Sequence, residues 1–244
     1  MDLILNGVKI SKPTAAQSKS FPFSLPFYKN GLTFDFKKPV TIIAGENAVG
    51  KSTLLESLAV KCGFPKQGGF WGHVLRKTYG TDWKGDVAER EFDNLILADN
   101  MELDWNMGIK CRKGYFLRAE YMSETLSQYK RAYEYLSCSH GEGLLTIMNQ
   151  QFKDGVFILD EPETALSPQS QFALLALIYQ NSKQYNCQYI IVTHSPILMS
   201  IPESDFYWLD KDGFNGMDYR DCQSYKFAET FFENPDRMLR HVTD

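Results

Sequence analysis

The sequence has no apolar run approaching the roughly 18 residues that a membrane helix requires. Its first residues, MDLILNGVKISKP, hold too short an apolar stretch for a secretion signal. Together these absences predict a soluble, cytoplasmic protein. Paired cysteines are lacking too: Cys62, Cys111, Cys138, Cys187 and Cys222 are odd in number, scattered, and form no CxxC pair. That excludes a disulfide framework, argues against a cysteine metal site, and fits buried or half-buried thiols in a reducing compartment. There is no excess of positive charge. The formal net charge is −4, so coating nucleic acid by charge alone is excluded. Internal repeats, low-complexity tails and sustained heptads are also missing. What remains is an ordinary globular composition, 43% hydrophobic and 23% charged over 244 residues. It can build a core without help from metal or disulfide.

Strand and helix patterns alternate along the chain. Residues 3–10 and 32–36 are strand-like, with Pro13, Pro22, Pro26 and Pro39 between and after them. Val40 to Ala44 reads as a buried strand, followed by a glycine-rich turn and an amphipathic helix over 52–61. Residues 63–110, rich in Gly, Trp and charge, have poor periodicity and predict an insertion of short helices and loops. Strands are expected at 114–120, 156–159, 189–192 and 206–209. Helices are expected at 122–137, 141–151, 167–184 (with Pro168 in the first turn) and 196–200, and on both sides of Asn234-Pro235. Continuous β-branched strands separated by helices imply an α/β fold, with a mostly parallel sheet covered on both faces.

Four motifs carry chemistry. Gly45-Glu46-Asn47-Ala48-Val49-Gly50-Lys51-Ser52 is a GxxxxGK[ST] loop between a predicted strand and a helix. Backbone N–H groups and the helix N-terminus there suit phosphate, with Lys51 on the β- and γ-phosphates, Ser52 on Mg²⁺ and Thr53 next in the helix. Val156 to Leu159 end in Asp160-Glu161-Pro162-Glu163, at the sheet edge where ligands bind in such folds. Asp160 suits Mg²⁺ and Glu161 suits a general base, although strand-end acids can also be mere solvation. His194, directly after another apolar strand, can reach a γ-phosphate. A lone strand-end histidine is commonly structural, but its order after the first two motifs favours the functional role. Ser139-His140-Gly141-Glu142 precedes a helix and fits either an anion-binding end or a capping box, in which Ser139 and Glu142 cap the helix.

In this order the motifs resemble the ABC ATPase superfamily. The wording GENAVGKSTLLESLA, GYFLRAE, SHGEG, FILDEPETALSPQSQ, VTHSPIL and ENPDRMLR is similar to that of small stand-alone bacterial ATPases of the AAA family, AAA-21-like. The likeness runs from about Phe21 to Arg240 and is weakest in 63–110. It implies a P-loop ATPase of ABC type over 1–244 as a single domain: an N-terminal antiparallel β portion with the P-loop (1–62), a helical insertion (63–138), and a half carrying the remaining motifs (139–244). It also implies a dimer with ATP sandwiched between subunits, so that Ser139, His140, Gly141 and Glu142 complete the other subunit's site. Thr164 to Ser167 would link the two sites, with Ser167 where Asp is commoner. Glu120 stands where many relatives have a Gln that touches Mg²⁺. Phe27 and Tyr28 fall where transporter subunits place an adenine-stacking aromatic, but in a region so rich in aromatics the core reading is favoured. Lys110, Arg112, Lys113 and Arg118 fit either a binding patch or the solvated face of an edge strand.

The resemblance leaves the driven process open. One expectation is an ATPase that works with a separately encoded effector or nucleic-acid partner, as in defence or DNA-repair modules. The alternative is the nucleotide-binding subunit of a transporter, although the segment between Lys51 and Ser139 does not look like a membrane-docking helical subdomain. Chromosome-maintenance and break-repair ATPases carry long coiled coils between these motifs, whereas only the 87 residues 52–138 intervene here.

Overall fold

The computed structural model describes residues 2–71, 96–106, 113–119, 140–211 and 213–243. Its ten strands form two sheets. The larger has seven strands: β3 (Val40–Gly45), β4 (Gly69–Phe70), β6 (Gly114–Arg118), β7 (Gly155–Asp160), β8 (Cys187–Val192), β9 (Asp205–Asp210) and β10 (Gly213–Gly216), in the order β10-β9-β3-β8-β7-β6-β4. The five central strands are parallel, and the two edge strands run antiparallel to their neighbours. Every residue of β3, β7 and β8 is buried. This is the signature of strands covered on both faces, and it explains why they read as unbroken apolar runs.

Alternate residues of these strands feed two cores. On one face Ile42, Phe157, Leu159, Tyr189 and Ile191 pack on α3 (His140–Gln151), α4 (Pro168–Gln184) and α5 (Pro196–Met199). On the other, Ile43, Ile158, Ile190 and Val192 meet α1 (Lys51–Cys62) and the smaller sheet. That smaller sheet is antiparallel, in the order β2-β1-β5, built from β1 (Leu5–Ile10), β2 (Leu32–Asp35) and β5 (Met101–Trp105). A short α2 (Ile96–Asp99) precedes β5, and α6 (Gln223–Glu233) and α7 (Pro235–Thr243) close the chain. Among the described residues no helix is long and apolar enough to cross a membrane.

The expected elements are found wherever they fall within the described residues, and the predicted helix over 122–137 lies outside them. Segment 63–110 departs from expectation. It contributes β4 and β5, and β5 pairs along β1 from Leu5↔Trp105 to Ile10↔Met101. Its alternation of buried Met101, exposed Glu102, half-buried Leu103 and exposed Asp104 is a two-residue period too short to stand out in an aperiodic stretch. The basic run is corrected as well. Lys110 and Arg112 lie outside the described residues and Lys113 is exposed, but β6 is an interior strand, and Arg118 turns inward to an ion pair with Glu56 at 2.8 Å.

One buried side chain joins the two sheets. Gln188 on β8 accepts from the Ile4 and Leu5 amides at 3.0 and 2.8 Å, and donates to the Leu5 carbonyl at 2.8 Å. Gln188→Met keeps the volume but strands three buried backbone groups. It should lower stability by about 3 kcal/mol or more, read as a shifted urea midpoint with an unchanged slope.

Candidate functional site

Three neighbouring strands end at one level. Val192 of β8 stands opposite Ile43 of β3 on one side and Asp160 of β7 on the other. The ladder continues one step further, from the Thr193 amide to the Ile43 carbonyl (3.2 Å) and from the Glu161 amide to the Val192 carbonyl (2.9 Å). The loop after Gly45, the carboxylates at 160 and 161, and His194 therefore emerge side by side at the carboxyl edge of the sheet. In open α/β sheets this edge is where ligands bind.

The loop from Gly45 to Gly50 is shaped for close approach. A Cβ on Gly45 would lie 2.0 Å from the Leu209 carbonyl oxygen, so β9 admits only glycine there. Gly50, at φ +100°, passes the chain into α1, and Ala48 takes the left-handed region at φ 61° despite its side chain. Lys51 is buried, and its ammonium donates to the Gly45 and Glu46 carbonyls at 2.9 and 2.6 Å. Burial pushes its pKa down, against the raising pull of Glu161 and Asp160. Tyr28 braces the loop from behind, donating from Oη to the Gly50 carbonyl at 3.0 Å.

Ser52 Oγ lies 3.4 Å from Asp160 Oδ1. Asp160 is buried, and this pushes its pKa up to about 6, opposed chiefly by the Arg118 guanidinium and reinforced by Glu161 and Glu56. A carboxylate desolvated in this way favours a cation beside it. The Ser52 hydroxyl and the Asp160 carboxylate are adjacent hard oxygen donors, a set that would suit an Mg²⁺ that keeps waters and takes phosphate oxygens. Glu161 follows the strand in the left-handed region (φ 48°), and its carboxylate faces His194 Nε2 at 3.6 Å. Asn47, Ala48 and residues 50–53 line a cleft of about 290 Å³ together with Glu161, His194 and the exposed Phe21.

Residues 86–200 match the family described as "AAA domain, putative AbiEii toxin, Type IV TA system", and residues 20–69 match one described as "AAA domain". The fold is that of the P-loop ATPases, and both matched families are AAA domains. Among solved structures, a SmcHead bound to the C-winged helix domain of ScpA is 11% identical, with a TM-score of 0.52, over 88% of this chain and 98% of that one. The SMC head domain from Thermotoga maritima is 14% identical (TM-score 0.46; 88% and 99% covered). CbiO1 from Clostridium perfringens, part of the ABC transporter complex cbiONQ, is also 14% identical (TM-score 0.48; 98% and 100% covered). No curated protein matches by sequence.

Asn47, Ala48, Gly50 to Thr53, Glu161 and His194 line one cleft, with Asp160 beside Ser52. The other expected residues are not among the described lining. Ser139 and Glu120 lie outside the described residues, and His140, Gly141 and Glu142 form the first turn of α3. Ser167 caps α4, accepting from the Ser170 amide at 3.2 Å. Phe27 and Tyr28 are core, and the aromatic that reaches the cleft is Phe21, which is 62% exposed. An aromatic six residues upstream in the same Pro-rich stretch gave no periodic signal to mark it. The Glu56–Arg118 pair beside Asp160 was equally hidden, because its partners lie on α1 and β6.

The raised pKa of Asp160 has a definite sign. The folded protein takes up this proton near pH 6 and the unfolded chain near 3.8, so the ionised carboxylate weakens the fold above pH 6. That penalty fades as the pH falls from 6 towards 4. Without Mg²⁺ or nucleotide, Asp160→Asn should therefore be more stable than wild type at pH 7, by up to about 2 kcal/mol, and lose that advantage at pH 4. Urea unfolding at both pH values checks it.

Proposed function

We propose that this ATPase hydrolyses ATP with Mg²⁺ as an ATP-dependent homodimer, and that turnover controls a separately encoded effector protein or nucleic-acid partner in the cytoplasm. The observation that carries the reading is the pairing of Glu161 and His194, 3.6 Å apart, across the cleft from the phosphate-binding loop. Loop amides and the α1 N-terminus would hold the phosphates, with Lys51 swinging from the Gly45 and Glu46 carbonyls onto the β- and γ-oxygens. Ser52 and Asp160, with Glu120 a further candidate, would hold Mg²⁺, which supplies charge neutralisation on those oxygens. Glu161 would take the proton of the attacking water as general base, and His194 would hold the γ-phosphate and that water. Phe21 offers a ring to the base at the mouth.

A second subunit is supported by exposure. The Glu161 and His194 side chains remain 43% and 40% exposed, whereas phosphoryl transfer needs water excluded from around the reacting oxygens. Ser139, His140, Gly141 and Glu142 of a second copy would supply that cover and contact the γ-phosphate. The chain would then act as one domain over 1–244, with 63–138 inserted between the halves of the site.

Glu161→Gln should keep ATP binding, slow hydrolysis about 10²-fold or more, and accumulate a dimer in size-exclusion chromatography with Mg-ATP. Wild-type turnover in this variant would overturn the base assignment. Lys51→Ala should lose nucleotide affinity in calorimetry, and unchanged binding would contradict the phosphate site.

A further inference from the structure

His194 leaves β8 just where the ladder runs out. The Thr193 amide still donates to β3 at 3.2 Å, and the next amide, that of His194, donates to Glu163 Oε1 at 2.6 Å. Glu163 sits on the 3₁₀ turn Pro162–Ala165, immediately after Glu161. Its other oxygen, Oε2, is buried with no hydrogen-bond partner among the described residues. Leaving a carboxylate oxygen in that condition is unfavourable, and it calls for an explanation beyond packing. The oxygen that is satisfied lies on the backbone of the histidine opposite Glu161. A second tie stands one residue on: Ser195 Oγ donates to Gln171 Oε1 at 2.6 Å, and Gln171 Nε2 to the Leu166 carbonyl at 3.0 Å. The turn bearing His194 is thus fastened to the chain bearing Glu161 by side chains, where the sheet no longer fastens it.

We infer that Glu163 is a positioning residue, whose carboxylate holds the His194 backbone so that the imidazole keeps its place opposite Glu161. Glu163 is not among the described residues lining the cleft, so it acts on turnover through His194 and leaves nucleotide affinity alone. This rests on the proposal that Glu161 and His194 serve hydrolysis.

Glu163→Ala and Glu163→Gln, in the full chain with Mg-ATP, provide the test. The alanine variant should lower kcat about tenfold or more, since small misplacements of a reacting group are costly, at an unchanged ATP Kd in calorimetry. Glutamine keeps an acceptor oxygen and should restore most of the rate. Added to His194→Ala, the alanine change should cost nothing further, because both remove one interaction. A folded alanine variant with wild-type turnover, an additive double variant, or a Kd that rises as much as kcat falls would each overturn the inference. The chain has four histidines, so the His194 imidazole signal in NMR spectra is assignable by its loss in His194→Ala. That signal should shift or broaden in Glu163→Ala and persist in Glu163→Gln, with or without nucleotide. This separates the two readings: a wild type that never hydrolyses ATP sinks the functional proposal, and an unmoved His194 signal in Glu163→Ala sinks this one. If the alanine variant does not fold, Glu163→Asp, one methylene too short to reach the amide, carries the same comparisons.

Discussion

Val192 faces Ile43 on one flank and Asp160 on the other, and the site depends on that register. Three parallel strands held level by their ladders deliver a phosphate-binding loop, two carboxylates and a histidine to one edge. The loop lies more than a hundred residues before the carboxylates and the histidine in sequence. A slip of one residue in β8 would turn Ile191 and Val192 to the opposite cores and carry His194 away from Glu161. The full burial of β3, β7 and β8 is therefore what fixes the chemistry. Apolar side chains locked into two cores give the edge its alignment.

That alignment is held against local cost. Ala48 and Glu161 occupy the left-handed region without being glycine, Asp160 is desolvated, and one oxygen of Glu163 is buried without a partner. All four lie within or beside the cleft. Such conflicts between local preference and native conformation persist only where the surrounding fold over-determines them.

Legibility in the sequence followed the range of the interactions. The strand, loop and helix from Val40 to Cys62 were readable because glycine, lysine and apolar period are contiguous. The ends of β7 and β8 were readable because a long apolar run stops abruptly at a polar group. Strand β5 was not, since MELDW is stabilised by pairing with β1 nearly a hundred residues earlier. Neither was Gln188, whose partners Ile4 and Leu5 lie at the other end of the chain. The inward turn of Arg118 depended on Glu56 of α1, and nothing in KCRKGYFLR distinguishes a paired arginine from a solvated one. Phe21 was passed over for Phe27 and Tyr28, because spacing along a chain cannot say which of several nearby rings the core will claim.

The bond from Tyr28 to the Gly50 carbonyl bears on how fast the site can fill. Tyr28 belongs to a buried hydrophobic core, so the far end of the loop is anchored to that core. The near end is held by Lys51, whose ammonium rests on the Gly45 and Glu46 carbonyls like a placeholder for the anion. On the proposed function, filling the site would exchange one set of lysine hydrogen bonds for another. The lysine side chain would then be the part that moves, within a loop tied at both ends.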